Sequence, residues 1–311
     1  MALFVLADEG TIIREGPEVD RAIAVAKQWY ATLAPKLAPT DVPFADIYRQ
    51  PFRLDEEYHV IKTDEMGTRA DIRGQLCFIL EQPNNRLTTI WNDSLMRFLK
   101  TNNVQCIQSL TTNEAVERAQ NYLDIIGVKI PYPIRLREVV FGYYAPYEWY
   151  VGWDRTFQGY RFDSFLTFLS QSVSVSFHER YGFLGFYCYD VLPPPCTTDV
   201  KISREDAVAK GEKAVPLVMK TPFYRMCRLP DFKVRGIKKA ELLIAAPNWL
   251  LDPKRAVWMR DKPPEETRLC WVVTYETIGT KVYEGGLRSI PPDILIYVDA
   301  ATGEIVGANF T

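Results

Sequence analysis

The chain contains two histidines, His59 and His178, the side chains best suited to acid–base and metal chemistry near neutral pH. A zinc site needs three or four protein ligands, often with two histidines one helical turn apart, whereas these two are far apart in the sequence. The sequence also lacks the glycine-rich loops that bind phosphate and the G-x-S-x-G turn of serine hydrolases. These patterns predict no catalytic residue, no metal site and no cofactor.

Cysteines offer a second kind of chemistry, and the chain has six of them, none in a C-x-x-C pair. They are Cys77, Cys106, Cys188, Cys196, Cys227 and Cys270. An even number is compatible with up to three disulfides, although a chain of 311 residues can build a core without them. The proline turn in YCYDVLPPPC makes Cys188 and Cys196 the most plausible local pair if a disulfide forms, and buried free thiols are the ordinary expectation for the others.

Acidic residues cluster in loops such as Asp55–Glu57 and Glu265–Glu266, where solvated charge is the ordinary explanation. Asp299 has a more specific position, because it precedes the glycine turn of the C-terminal segment Ile296–Phe310. An aspartate before a turn can accept hydrogen bonds from nearby backbone N–H groups. We therefore expect Asp299 to fix a β-hairpin turn rather than to act on a substrate.

Nearly half of the residues from Phe141 to Phe162 are aromatic, in the segment FGYYAPYEWYVGWDRTFQGYRF. Not all of these rings can face one small helix, so an outward set could form a platform for a peptide or a glycan. The candidate binding surface consists of Tyr143, Tyr147, Trp149, Trp153 and Arg155. In the alternative interpretation both faces of this sheet are buried, one under its helix and one against a neighbouring unit. Arg155 would then form a structural salt bridge rather than pair with an anionic group.

The composition is that of a folded chain with ordinary charge. Hydrophobic residues make up 47% and charged residues 24%, and the net charge is −2. Such a balance gives no bulk attraction to nucleic acid, and no apolar run reaches the roughly 20 residues of a membrane-spanning helix. Aromatic residues at 13% and 21 prolines favour sheet-rich modules with many turns.

Three helical segments recur at nearly equal spacing: Glu18–Ala34, Thr111–Gly127 and Ser203–Val218. Each has an alanine–aliphatic pair near its start and apolar residues three and four apart, which predicts one buried stripe. In the second and third segments Thr111 and Ser203 are predicted N-caps, because an acidic residue follows each of them by three positions.

Strand-like patterns follow each helix, so the sequence predicts an α+β protein of three tandem repeats. Each repeat is one helix packed on an antiparallel sheet of about three to five strands. The predicted repeats are 1–100, 101–196 and 197–311. They are joined at Lys100–Leu110 and at the proline-rich Val191–Lys201.

The third repeat resembles the PepSY-like domain family. The resemblance rests on the segments ISREDAVAKGEKA, RLCWVVTY and ILIYVDAATGEIVGANF. Trp271 falls on the tryptophan-bearing strand of the family pattern. The matching hairpin residues are Val298, Asp299, Thr302, Gly303, Glu304 and Ile305.

The second repeat resembles the YcdB/YcdC-type repeated domain, and Trp153, Arg155, Gly159 and Gly182 fit that pattern. It departs from the family by having the sequence His-Glu-Arg-Tyr, from His178, where Asp-x-x-Thr would stand. The first repeat matches only by its helix and by spacing, so it would be a degenerate PepSY-like unit.

The resemblance implies cystatin-like folds that are usually extracytoplasmic and not enzymatic. Such domains occur in peptidase propeptides and in cell-envelope proteins that modulate hydrolases. We therefore expect a non-enzymatic binding or regulatory protein whose partner is a peptidase or a cell-wall hydrolase. It would act by occlusion or by adding a strand to a sheet edge. The alternative is a structural scaffold of packed or self-associating repeats.

The expected location is the cell envelope or the medium, because of the family resemblance. No complete signal peptide is recognised at the start of the sequence. The apolar stretch Ala2–Ala7 is interpreted either as the end of a longer signal or as a first edge strand.

Overall fold

The computed structural model describes most of the chain and assigns it to the α+β class, as the sequence predicts. The described residues are 11–13, 16–37, 58–63, 67–72, 76–81, 86–102, 104, 108–130, 132–142, 148–163, 172–188, 192–221, 233–252, 266–278, 281–282, 288–289 and 293–310. The chain divides into two compact units. The first comprises Met1–Arg155 and Ser172–Tyr189, and the second comprises Thr156–Gln171 and Asp190–Thr311.

Four helices are described: α1 (Pro17–Leu37), α2 (Asp93–Thr101), α3 (Thr112–Ile126) and α4 (Arg204–Val218). The two predicted N-caps are confirmed, since the side chains of Thr111 and Ser203 accept hydrogen bonds from backbone N–H groups three residues later. Helix α2 was not expected from the sequence. It begins because the Asn92 side chain accepts a hydrogen bond from the Leu95 N–H at 3.0 Å.

The first unit contains one antiparallel sheet. Its strands are β1 (Thr11–Ile13), β2 (Tyr58–Thr63), β3 (Gly67–Ile72), β4 (Leu76–Glu81), β5 (Arg86–Asn92), β6 (Ile134–Phe141), β7 (Trp149–Phe157), β9 (Ser172–His178) and β10 (Gly182–Cys188). Neighbouring strands follow the order β1-β2-β3-β4-β5-β10-β9-β7, and β6 pairs with β7. The chain leaves this unit within β7, after Arg155.

The second unit contains a mixed sheet and a separate two-stranded ribbon. Its strands are β8 (Tyr160–Phe162), β11 (Lys233–Ala245), β12 (Arg268–Ile278), β13 (Lys281–Val282), β14 (Arg288–Ser289), β15 (Ile294–Asp299) and β16 (Ile305–Phe310). The main sheet has the order β8-β11-β12-β15-β16, with β8 and β11 parallel and the other pairs antiparallel. Strands β13 and β14 form the ribbon.

One arrangement of elements occurs three times along the chain. Helix α1 is followed by β2, β3, β4 and β5, helix α3 by β6, β7, β9 and β10, and helix α4 by β11, β12, β15 and β16. In each set the four strands are sequential antiparallel neighbours. The first two sets share one compact unit, where β5 pairs with β10. The boundaries of the three predicted repeats stay a prediction.

Small residues on the helices let them pack closely on their sheets. Ala115 and Ala119 of α3 lie in the core of the first unit, beside Phe177 of β9. In the second unit Ala207 of α4 lies in the same buried cluster as Val273 of β12. Each of these side chains is fully buried, so the apolar stripes predicted on the second and third helices do face the sheets.

The candidate pair Cys188 and Cys196 is not bonded, since both are free thiols. Cys188 points into the core of the first unit, where its Sγ lies 3.6 Å from the Tyr132 hydroxyl, whereas Cys196 is exposed. Cys106 and Cys227 lie outside the described residues. Among the helices that the structure describes, none is long and apolar enough to cross a membrane.

Candidate functional site

The predicted aromatic surface is not an accessible platform at the positions that can be examined. Trp149, Trp153 and Arg155 all lie on β7, and their exposed fractions are 2%, 5% and 8%. Tyr143 and Tyr147 lie outside the described residues. The buried interpretation therefore describes the three β7 residues.

These side chains are buried because β7 is an inner strand of its sheet, between β6 and β9. Trp149 pairs across the ladder with Phe177, and both lie in the core cluster beneath α3. The Arg155 guanidinium lies 4.8 Å from the centre of the Tyr132 ring, within the same unit. A peptide or glycan could not stack on these residues without opening the core.

The structure instead brings polar residues together at the turn between β9 and β10. The carboxylate of Glu179 accepts a hydrogen bond from the Trp149 indole N–H at 2.7 Å. It also accepts bonds from the Ser109 N–H at 3.0 Å, the Ser109 hydroxyl at 2.5 Å and the Leu110 N–H at 3.2 Å. We call these four residues the Glu179 clasp. It ties the hairpin turn to the segment that leads into α3.

The electrostatics of the clasp favour an ionised carboxylate. Burial raises the pKa of Glu179, but hydrogen bonds from Ser109 and Trp149 more than offset this effect, and the pKa lies below its usual value. The Arg118 guanidinium donates to the backbone carbonyl of Glu179 at 2.7 Å and lies over the Phe177 ring. The turn is therefore held from α3 as well as from β7.

His178 fixes the same turn from inside. Its Nδ1 accepts hydrogen bonds from the N–H groups of Arg180 at 3.1 Å and Tyr181 at 3.2 Å. The imidazole is buried, and burial lowers its pKa to about 4, so the ring is neutral near pH 7. Its buried Nε2 has no hydrogen-bond partner among the described residues.

The C-terminal hairpin has the equivalent turn with an aspartate in place of the histidine. Asp299 Oδ1 accepts hydrogen bonds from the N–H groups of Ala301 at 2.8 Å and Thr302 at 2.9 Å, which confirms its predicted role. In both turns the acceptor bonds the residues two and three positions on. A glycine with positive φ then follows, Gly182 at 88° and Gly303 at 73°.

The tryptophans before the two turns also occupy equivalent places. Trp149 pairs with Phe177, and Trp271 pairs with Val298, in each case the residue before the turn acceptor. The Trp271 indole donates to the Ile202 carbonyl at 2.8 Å, just before α4. Trp271 thus bonds the segment before α4 directly, whereas Trp149 is linked to the segment before α3 through Glu179.

The clasp and the neighbouring His178 together contain the residue types of a catalytic triad, but not its geometry. In a triad the serine hydroxyl bonds the histidine, and the acid orients the histidine. Here the Ser109 hydroxyl donates to Glu179, and His178 Nδ1 is occupied by two backbone N–H groups. The arrangement orders a turn, and the Ser109 hydroxyl bonds the carboxylate rather than the histidine.

The second unit also contains buried ionisable groups. The Tyr297 hydroxyl donates to Asp163 at 2.7 Å, and both side chains are buried. Burial and the neighbouring Asp163 raise the pKa of Tyr297 well above its usual value, and burial raises that of the Cys270 thiol. The thiol is therefore protonated at neutral pH and a poor nucleophile. The described residues include no group of three or more potential metal ligands.

The end strands of the two sheets differ in how their outer edges are treated. Along β16 the Asn248 side chain donates to the Ala308 carbonyl at 2.6 Å and accepts from the Ala308 N–H at 3.2 Å. The N–H groups of Asn248 and Trp249 both donate to the Val306 carbonyl. This segment therefore covers the backbone of β16, as proteins commonly do with an exposed edge.

Strand β6 is an end strand of the sheet in the first unit, and β7 is its one neighbour among the described strands. The register shifts between Leu136 and Glu138, so Arg137 forms a bulge. Arg137 pairs with Glu138 at 2.7 Å and with Asp154 at 3.2 Å. Beyond the bulge β6 is regular as far as Phe141, and Leu136 beside it is 45% exposed.

Comparison with known proteins gives little further information. No protein-family model matches the chain, and no curated protein matches it. Among solved structures it is similar to the Bacillus megaterium YpeB C-terminal domain, with a TM-score of 0.43 and 14% sequence identity. That similarity covers 95% of this chain and 99% of the other.

Proposed function

We propose that this protein is a non-enzymatic, extracytoplasmic binding or regulatory protein built from three cystatin-like units of the PepSY-like and YcdB/YcdC types. The hairpin of the third repeat, from Val298 to Ile305, supports this proposal through its similarity to the family. The recurring helix and four antiparallel strands also agree with it.

The proposed partner is a peptidase or a cell-wall hydrolase that offers an extended segment to the edge of β6. The observation that carries this proposal is the difference between the end strands: Asn248 covers β16, whereas β6 has one described neighbour. A segment pairing with Glu138–Phe141 would gain main-chain hydrogen bonds, and the exposed Leu136 would add an apolar contact. The bulge at Arg137 would limit pairing to this half of the strand.

The contacts of the clasp support a role without catalysis. At the turn between β9 and β10 the side chains of Ser109, His178 and Glu179 all serve to hold the backbone. Binding would then alter the partner's activity by covering its surface.

The test combines proline substitutions in β6 with capture of the partner. Adjacent strand residues direct their N–H groups to opposite edges, so one of Val139→Pro and Val140→Pro removes only an outward N–H. Of these two variants, the one that keeps the wild-type melting temperature is the one that has lost only the outward N–H group. Wild-type protein and this variant are then used as bait in an envelope and secreted extract of the source.

A peptidase or cell-wall hydrolase should bind the wild type saturably and should bind the variant at least about tenfold more weakly. The catalytic rate of that enzyme should change when the purified wild-type protein is added. Equal binding of both baits would refute the β6 edge as the site. Recovery of the bait alone would refute the regulatory proposal.

A structural scaffold is the second candidate, and the burial of Trp149 and Trp153 favours it, because these rings are not available to a ligand. A scaffold of self-associating repeats predicts concentration-dependent oligomers in sedimentation experiments. A monomer at all concentrations would argue against self-association.

A further inference from the structure

The turn at His178 depends on a neutral imidazole. Nδ1 can accept the hydrogen bonds of Arg180 and Tyr181 only while it carries no proton. Protonation would place a third N–H group against these two donors. The equivalent turn at Asp299 has no such weakness, because a carboxyl group keeps an acceptor oxygen whether or not it carries a proton.

The charges near His178 lie on its own turn, on α3, just before β7 and on α2. On its own turn Glu179 favours the protonated ring, whereas Arg180 disfavours it, and Arg118 of α3 also disfavours it. Just before β7, the buried Glu148 lies one position beyond the pair formed by Trp149 and Phe177.

Helix α2 approaches the same turn through Phe98, whose ring centre is 6.0 Å from that of Tyr181. Tyr181 in turn stacks near His178, with 4.7 Å between ring centres. The charges on α2 are Asp93 and Arg97, which pair at 2.6 Å, and the exposed Lys100. Burial nevertheless has the largest effect on His178, and it disfavours the charged ring.

The turn is directly coupled to the segment before α3. Glu179 follows His178, and its carboxylate bonds the N–H groups of Ser109 and Leu110. A change in the backbone from 179 to 181 would withdraw this carboxylate, because the same turn positions both groups. Loss of the His178 acceptor would thus free both the turn and the segment at 109–110.

We propose that the turn between β9 and β10 is an acid-sensitive clasp: protonation of His178 opens the turn and releases the Glu179 carboxylate from Ser109 and Leu110. This proposal does not depend on the identity of any partner. It gives the protein a built-in response to acid that is local to one hairpin.

The expected size follows from the pKa of the imidazole, which is about 4 in the closed turn and 6.5 when the ring is in water. Because the open turn takes up the proton more readily, the ratio of closed to open turns falls by about tenfold between about pH 7.5 and about pH 5.5. Glu179 stays ionised over this interval, since its pKa lies below its usual value. Only His178 should therefore drive the change.

The test is residue-resolved amide hydrogen exchange of the full chain at these two pH values, with rates corrected for intrinsic exchange. Protection of the Arg180 and Tyr181 amides should fall by about tenfold at the lower pH, and that of Ser109 and Leu110 should fall with it. The amides of Ala301 and Thr302, held by Asp299, provide an internal control and should not change.

The variant His178→Asn keeps an acceptor at the position of Nδ1 but cannot be protonated, so its exchange pattern should be independent of pH in this range. Protection at Arg180 and Tyr181 that does not respond to pH in the wild type would overturn the proposal. So would a fall that persists in His178→Asn, or a fall at the turn that leaves Ser109 and Leu110 unchanged.

Discussion

Replacing Asn248 with alanine should destabilise the second unit by about 3 kcal/mol. The side chain is 7% exposed and makes three hydrogen bonds, two with the backbone of Ala308 and one from the Leu250 N–H at 3.2 Å. Each such bond contributes about 1 kcal/mol net, and a buried backbone group left unpaired costs about 1 to 3 kcal/mol. Ala308 is fully buried, so water would not readily replace the lost partner.

The assay is urea unfolding followed through backbone amide NMR signals of β15 and β16, because the chain has two compact units and a global probe would mix them. The midpoint should fall while the denaturant dependence stays the same. Thr302→Ala is a matched control in the same unit. It removes one exposed hydrogen bond, to the Glu304 N–H, and should cost less than about 1 kcal/mol.

A loss below about 1 kcal/mol for Asn248→Ala would contradict this reasoning. It would mean that the backbone bonds from Asn248 and Trp249 to Val306 hold the covering segment without the side chain. A normal free energy of unfolding with increased association of the variant would place the role of Asn248 in guarding the edge rather than in stability.

Three further outcomes are expected. Gly211→Ala in α4 should lower the melting temperature, because the new Cβ would lie 2.5 Å from the hydroxyl of the buried Tyr275. This clash should outweigh a helix-propensity gain of about 1 kcal/mol. A higher melting temperature would show that the Tyr275 ring moves aside freely. Glu179→Gln should lower the free energy of unfolding of the first unit by about 2 kcal/mol in urea, because the glutamine NH2 group must face one of the donors, among them the Trp149 indole. A glutamine variant as stable as the wild type would contradict the role given to the clasp. The pKa of His178 falls from 6.5 to about 4 on folding, so the neutral ring should stabilise the first unit fully above pH 6.5. The free energy of unfolding should then decline by up to about 3 kcal/mol as the pH falls to about 4. Urea unfolding of the first unit across this range measures the decline, and His178→Asn should give a flatter profile.

Local signals in the sequence were sufficient where a structural feature depends on neighbouring residues. The caps at Thr111 and Ser203 follow from a hydroxyl and an acid three residues apart, and the structure confirms both. The turn at Asp299 was predicted for the same reason, since its donors lie two and three residues away. Helix α2 was not predicted from the sequence, because its start depends on the single side chain of Asn92 at the end of a strand.

The candidate site depends on contacts between distant parts of the chain. The sequence singled out the residues from His178 as a departure from the repeat pattern, but it did not indicate what Glu179 binds. Ser109 lies 70 residues away from Glu179, and no local pattern links them. The burial of Trp149 and Trp153 could not be predicted for a related reason: the composition around them indicates a sheet, but not whether their strand lies inside it.

The α+β class could be predicted without the structure, as could the helix starts at Thr111 and Ser203 and the C-terminal turn. These features follow from periodicity and from hydrogen bonds within a few residues. The tertiary structure decided which strands lie at an edge, which aromatic rings are buried, and that Glu179 meets Ser109 and Trp149. Such features arise from the pairing of strands far apart in the chain. Burial and electrostatic environment belong to that pairing, since they are set by neighbours in space rather than in sequence.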